Sequence, residues 1–184
     1  MKQFSILFFL ALILPALSNA QTHFPLKEGA RWTYNYNGVF DQTGESFFVV
    51  EILEGKEVLK DQSYYQVKTA SFQAEGAEAA YTQVSYSRVD DKGNVFSYDS
   101  ESSDELFFPA DVVKDKSWSV GNSEFKVLEL KGSIETPKGT YEDCVVLTRT
   151  ENGQVISSYF KKDIGLVAIR MGELLMAYLT DYSL

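Results

Sequence analysis

Chain-reversal chemistry recurs about every 8–12 residues along most of this sequence, and the stretches between are rich in β-branched and aromatic residues. That spacing is too short for a helical bundle and suits antiparallel meanders. Asn152-Gly153, inside Glu151-Asn152-Gly153-Gln154, is a strong two-residue hairpin signal, because both positions accept positive φ. Asp90-Asp91-Lys92-Gly93-Asn94, Gly121-Asn122, Thr136-Pro137-Lys138-Gly139, Asp163-Ile164-Gly165 and Met171-Gly172-Glu173 carry similar chemistry. Glu54-Gly55-Lys56 reads as one more tight turn, leading into Val58-Leu59.

Between these points the pattern is that of strands. In Arg31-Trp32-Thr33-Tyr34-Asn35-Tyr36 the residues alternate, which places Trp32, Tyr34 and Tyr36 on one face. Residues 47–53, 64–72, 80–89, 95–98, 124–130, 141–150, 155–161, 166–170 and 174–182 are the other clear strand candidates, and a further strand starts at Trp118. Only 75–80 and 109–114 offer any helical character, and neither has a long apolar stripe.

The chain also echoes itself. Phe24-Pro25 leads, seven residues on, to Trp32-Thr33, and Phe108-Pro109 leads, nine residues on, to Trp118-Ser119. These are the two tryptophans of the chain. A later pair extends the echo, from Tyr86 to Gly93-Asn94-Val95-Phe96 and from Tyr159 to Gly165-Leu166-Val167. The expectation is an all-β fold with little helix: one domain over 21–184, with pseudo-repeats at about 24–98 and 108–182. Its antiparallel meanders would form one strongly curved sheet or half-barrel. A β-sandwich or lipocalin-like barrel is the alternative. Two separate domains would each leave a sheet face uncovered.

The first twenty residues read as a cleaved signal peptide. Met1-Lys2 supplies the positive start, Phe4 to Leu17 the apolar run, and Ser18-Asn19-Ala20 the small residues of a cleavage site. The run of 14 residues falls short of the roughly 20 that cross a bilayer, so no membrane span is expected in the mature chain. No cysteine stands near that site to accept a lipid anchor, and Cys144 is the single cysteine of the chain. A secreted or periplasmic protein, starting near Gln21, is therefore expected. One cysteine cannot form an intrachain disulfide, so the fold must rest on its core or on an interchain bond.

Charge and side-chain chemistry narrow the function. Loss of the leader removes Lys2 and takes the formal charge from −9 to −10. Nucleic acid and anionic lipid surfaces would repel such a chain. The single histidine, His23, lies three residues into the mature chain, a poor place for a general base. It also excludes a multi-histidine metal site within one chain. Cys144 has acidic and apolar neighbours in Asp143-Cys144-Val145-Val146-Leu147, which suits a buried small hydrophobe better than a nucleophile. The polar stretch 99–105 connects the two halves. Its carboxylates Asp99, Glu101, Asp104 and Glu105 lack the spacing of a calcium loop and read as a solvated connection. No catalytic residue, metal or cofactor is called for.

The opening Phe24-Pro25-Leu26-Lys27-Glu28-Gly29-Ala30-Arg31-Trp32-Thr33-Tyr34 resembles the start of the TapB-like and DUF3108-like exported bacterial proteins of unknown function. Lys138-Gly139-Thr140-Tyr141-Glu142-Asp143-Cys144-Val145, Tyr159 to Val167, and Gly172 to Leu179 resemble later signatures of that group. The resemblance implies a curved antiparallel sheet akin to the half-barrel of LolA-type lipoprotein carriers, and it brings no catalytic residue. The first reading of function is a non-enzymatic binding or interaction protein of the cell envelope, its partner left open between a hydrophobic small molecule and an envelope protein. The alternative is a carrier of a lipid or other hydrophobic ligand on a concave face, with Trp32, Tyr34, Tyr36 and Trp118 as ligand-binding residues. The third is a hydrolase with paired carboxylates in one cleft.

Overall fold

A computed structural model describes residues 22–36, 46–100 and 104–184. The leader at 1–20, the start at Gln21 and the candidate ligand Glu101 lie outside the described residues. Twelve strands are described: β1 (Arg31–Tyr36), β2 (Phe47–Leu59), β3 (Gln62–Phe72), β4 (Tyr81–Val89), β5 (Val95–Ser97), β6 (Glu105–Phe108), β7 (Ser117–Val120), β8 (Ser123–Thr136), β9 (Gly139–Glu151), β10 (Gln154–Lys161), β11 (Gly165–Met171) and β12 (Leu174–Ser183). They form one antiparallel sheet in the order β6-β5-β4-β3-β2-β1-β12-β11-β10-β9-β8-β7. The sheet is a nearly closed barrel. Two six-strand meanders, β1–β6 and β7–β12, are zipped together where β1 pairs with β12, from Arg31 opposite Ser183 to Tyr36 opposite Ala177. The two edge strands are β6 and β7, so the barrel has a seam there.

Curvature comes from irregular pairing. Register shifts interrupt β1/β12, β2/β3, β5/β6, β8/β9, β10/β11 and β11/β12. An extra residue in one strand bends it and adds local twist, which is what a sheet needs to curl round on itself. The sharpest case in the first half corrects the expected turn at Glu54-Gly55-Lys56. The strand continues through it, with Ile52 opposite Val67 and Lys56 opposite Tyr65. Gly55, at φ 79°, absorbs the kink. The hairpin instead reverses at Lys60-Asp61, both at positive φ (47° and 60°), with Leu59 opposite Gln62. Asn152 and Gly153 take up the same positive-φ pair, as their sequence predicts. Neither helix candidate forms, and residues 73–80 and 109–116 are turns and bends.

The core falls into two clusters. One joins Trp32, Tyr34, Ile52, Cys144, Val167 and Leu179, and the other joins Val95, Phe108, Val127, Leu147 and Phe160. Leu26 and Leu166 pack against both. Leu26 belongs to the segment before β1, which enters the interior and is tied at both ends. Thr22 O accepts a bond from Asp163 N at 2.6 Å, and Gly29 N donates to Ile52 O at 2.8 Å. Cys144 is fully buried, and burial pushes its thiol up to about 11, with Asp143 adding to the effect and Lys161 opposing it.

The connection at 99–105 departs from the solvated loop its composition suggests. Glu105 already belongs to β6, and the Asp104 side chain is only 10% exposed. Its Oδ2 accepts from Tyr64 Oη at 2.6 Å and from Arg88 Nε at 2.5 Å. A carboxylate so placed must be paired, because an uncompensated charge there is costly. The bonds fasten the start of β6 to β3 and β4.

Close approach of β8 to β9 gives a direct test. A Cβ on Gly132 would lie 2.4 Å from Val146 Cγ2 and 3.1 Å from Glu129 Oε2, and Val146 is itself buried. The Gly132→Ala variant is expected to lose about 1–3 kcal/mol of stability, the usual cost of overpacking. Urea unfolding monitored by circular dichroism measures it.

Candidate functional site

The two tryptophans hold equivalent positions in chain order, each the second residue of the strand that opens its meander. Each indole also bonds to the opposite meander. Trp32 Nε1 donates to Ile164 O at 2.6 Å, just before β11, and Trp118 Nε1 donates to Leu106 O in β6 at 2.8 Å. The second bond spans the seam. Where a backbone ladder would join β6 to β7, an indole N–H reaches across instead. Trp118 is stacked on Phe125 of β8, with centroids 5.6 Å apart and an interplanar angle of 12°.

Behind this bridge lies a cavity of about 680 Å³ whose walls come from both sides of the seam. Glu105, Leu106 and Phe107 of β6 face Val120 of β7, and Phe125, Arg149, Ile156, Ser158, Phe160 and Ile169 continue the wall through β8–β11. Strand register explains the surface. Phe125 pairs with Arg149, Arg149 with Ile156, and Ser158 with Ile169, so neighbouring strands contribute side chains in rows. The rim is polar. Arg149 (44% exposed) and Glu151 (45%) lie two residues apart on one face of β9, with Arg149 Nη2 3.8 Å from Glu151 Oε2. The inner end is apolar, built from Phe24, Phe160 and Leu166. Phe24 sits 5.0 Å from Phe107 and 6.4 Å from Phe160, centroid to centroid.

Beyond Phe24 is a second, smaller cavity of about 190 Å³. Pro25, Trp32, Tyr34, Ile52 and Val67 line it, and Phe24 and Leu166 border both cavities. Tyr34 Oη donates to Leu166 O at 3.0 Å. Burial, reinforced by nearby Tyr141, drives the Tyr34 phenol far above the ordinary tyrosine range, so it stays a neutral donor.

The four aromatics singled out from sequence therefore part company. Trp32 (5% exposed) and Tyr34 (3%) line the inner cavity. Tyr36 is half-buried and packs on Phe48, whose ring also stacks on Tyr34. Trp118 bridges the seam next to Phe125. Sequence reading passed over Phe24 as a site residue, and likewise Phe107, Phe125 and Phe160, which line the larger space. Only the non-local strand register shows that they share one cavity. Two carboxylates, Glu105 and Glu151, share the larger cavity, with Glu151 paired to Arg149. Among the described residues no group of three or more His, Cys, Asp and Glu is placed to hold a metal ion, and no helix is long and apolar enough to cross a membrane.

No family model and no curated protein matches the sequence. Two solved structures resemble the fold. A crystal structure of a proposed exported protein with a YmcC-like fold, from Bacteroides fragilis, superposes with a TM-score of 0.54 at 14% identity, over 89% of this chain and 99% of that one. The likeness is one of fold. A proposed lipoprotein from Parabacteroides distasonis gives a TM-score of 0.45 at 14% identity, over 91% and 100% of the two chains.

Substituting the seam indole tests what the bridge contributes. Trp118→Phe keeps the stacking on Phe125 and leaves Leu106 O to water. It is expected to cost about 1–3 kcal/mol, the hydrogen bond together with the packed ring area lost between indole and phenyl, while Trp118→Leu, which also loses the stacking, costs more. Chemical denaturation of both variants checks the order.

Proposed function

We propose that this chain is an exported, non-enzymatic binding protein of the bacterial envelope that holds an apolar or amphipathic small molecule in the seam cavity. The observation that carries the reading is the cavity itself. It is within the about 300–1,000 Å³ range of small-molecule sites, with an aromatic interior and a few polar groups at its rim. Its walls belong to both edge strands, so a guest could enter by parting β6 from β7 without breaking a ladder. The leader-like residues 1–20 support export, as does the fold shared with a protein that is itself proposed to be exported. Kinship with the TapB-like and DUF3108-like proteins belongs to the same proposal. So does an origin of the two meanders by duplication, which the reciprocal indole bonds support. The hydrolase reading is weaker, because Glu151, one of the two carboxylates in the cavity, is already engaged by a guanidinium at an exposed rim.

A neutral solvatochromic dye such as Nile red tests the site. Saturable binding to one site per chain is expected. Ile156→Trp, which puts an indole into the cavity from half-buried β10, is expected to weaken binding at least tenfold with unfolding little changed. Absence of saturable binding, or binding indifferent to Ile156→Trp, overturns the assignment. Native mass spectrometry with solvent extraction of the exported protein then identifies the natural guest. A clean monomer without adduct favours the interaction-protein reading.

A further inference from the structure

We infer that the interior is a two-chamber site for a linear alkyl chain, and that Phe24 is the partition that sets how long a chain it accepts. This rests on the binding role proposed for the seam cavity and assigns the chemistry of its guest.

Phe24 and Leu166 are the two residues that border both cavities. They are not equally able to move. Leu166 sits in β11, held in register opposite Phe160. Phe24 lies in the segment before β1, outside any strand, between the tie at Thr22 and the one at Gly29. Turning its side chain breaks no ladder. Its ring is held by aromatic contact with Phe107 and Phe160, which line the outer chamber. A guest filling that chamber would compete for those same faces. The inner chamber is apolar, and the one phenol on its wall, Tyr34, spends its proton on the Leu166 carbonyl. Nothing there rewards a polar group. Its 190 Å³ exceeds the ~150 Å³ dry cavity that takes a benzene-sized guest, so it has room for the last half-dozen or so carbons of a chain. The charged rim, Arg149 with Glu151 and Glu105, lies at the opposite end and suits a head group in contact with water. An apolar inner chamber this small, beyond a larger one with a polar rim, has room for the end of an unbranched tail but not for a fused-ring body.

A series of n-alkyl maltosides of increasing tail length, each below its micelle concentration, measures the partition. In the native protein affinity is expected to rise about fourfold per added methylene, the equivalent of ~0.8 kcal/mol, and then to level off. In Phe24→Ala and in Phe24→Leu the plateau moves to longer tails. Val50 also lines the inner chamber, and adding Val50→Phe to Phe24→Ala fills that chamber and moves the plateau back. Phe24→Leu keeps an apolar side chain, so it stays informative if Phe24→Ala does not fold. A plateau at the same tail length in native protein and Phe24→Leu overturns the partition and leaves the binding site standing. If native protein binds no maltoside yet binds Nile red, the alkyl-chain assignment falls. If it binds neither, the proposed function falls with it.

Discussion

The pairing of β1 with β12 is the constraint on which the other features depend. It joins the first described strand to the last, so two meanders become one curved wall. That single ladder fixes where the opposite gap must fall. With β1 at the centre of the strand order, the edges are necessarily β6 and β7, the middle of the chain. A barrel zipped by its ends thus has its weak side at its sequence midpoint.

The seam is managed by side chains. Edge strands expose unpaired donors and acceptors and invite association. Here both edges are only four residues long, one Leu106 carbonyl is taken by the Trp118 indole, and β6 is anchored behind by Asp104 to Tyr64 and Arg88. The N-terminal segment completes the interior. It brings Leu26 between the two core clusters and Phe24 between the two cavities. The cavity at the seam and the second one beyond it share Phe24 and Leu166 as lining residues.

Local chemistry made much of the architecture legible. Turn residues and alternation mark the hairpins at Asn152-Gly153, Gly121-Asn122 and Met171-Gly172, and most strand ends follow from them. Lys60-Asp61 escaped notice because neither residue is a glycine or asparagine, although both adopt positive φ. Gly55 misled for the opposite reason, since a glycine that relieves a bulge and one that makes a turn look alike in sequence. Asp104 looked solvated because its partners Tyr64 and Arg88 are 40 and 16 residues away. The site was half legible. Periodicity put Trp32 and Tyr34 on one face, and they do line the inner cavity. The larger cavity depends on which distant strands flank the seam, information that pairing holds and composition does not.

Hydrogen exchange on the free protein addresses the central claim most directly: the barrel is zipped at β1 and β12 and open at β6 and β7. The laddered amides of β1 and β12 should rank with the slowest in the molecule, although they lie near the two ends of the chain. The amides of β6 and β7 that face the seam should exchange far faster, at rates set by local opening. Seam amides as protected as those of β1, or β1 and β12 amides that exchange as freely as frayed termini, would contradict this account.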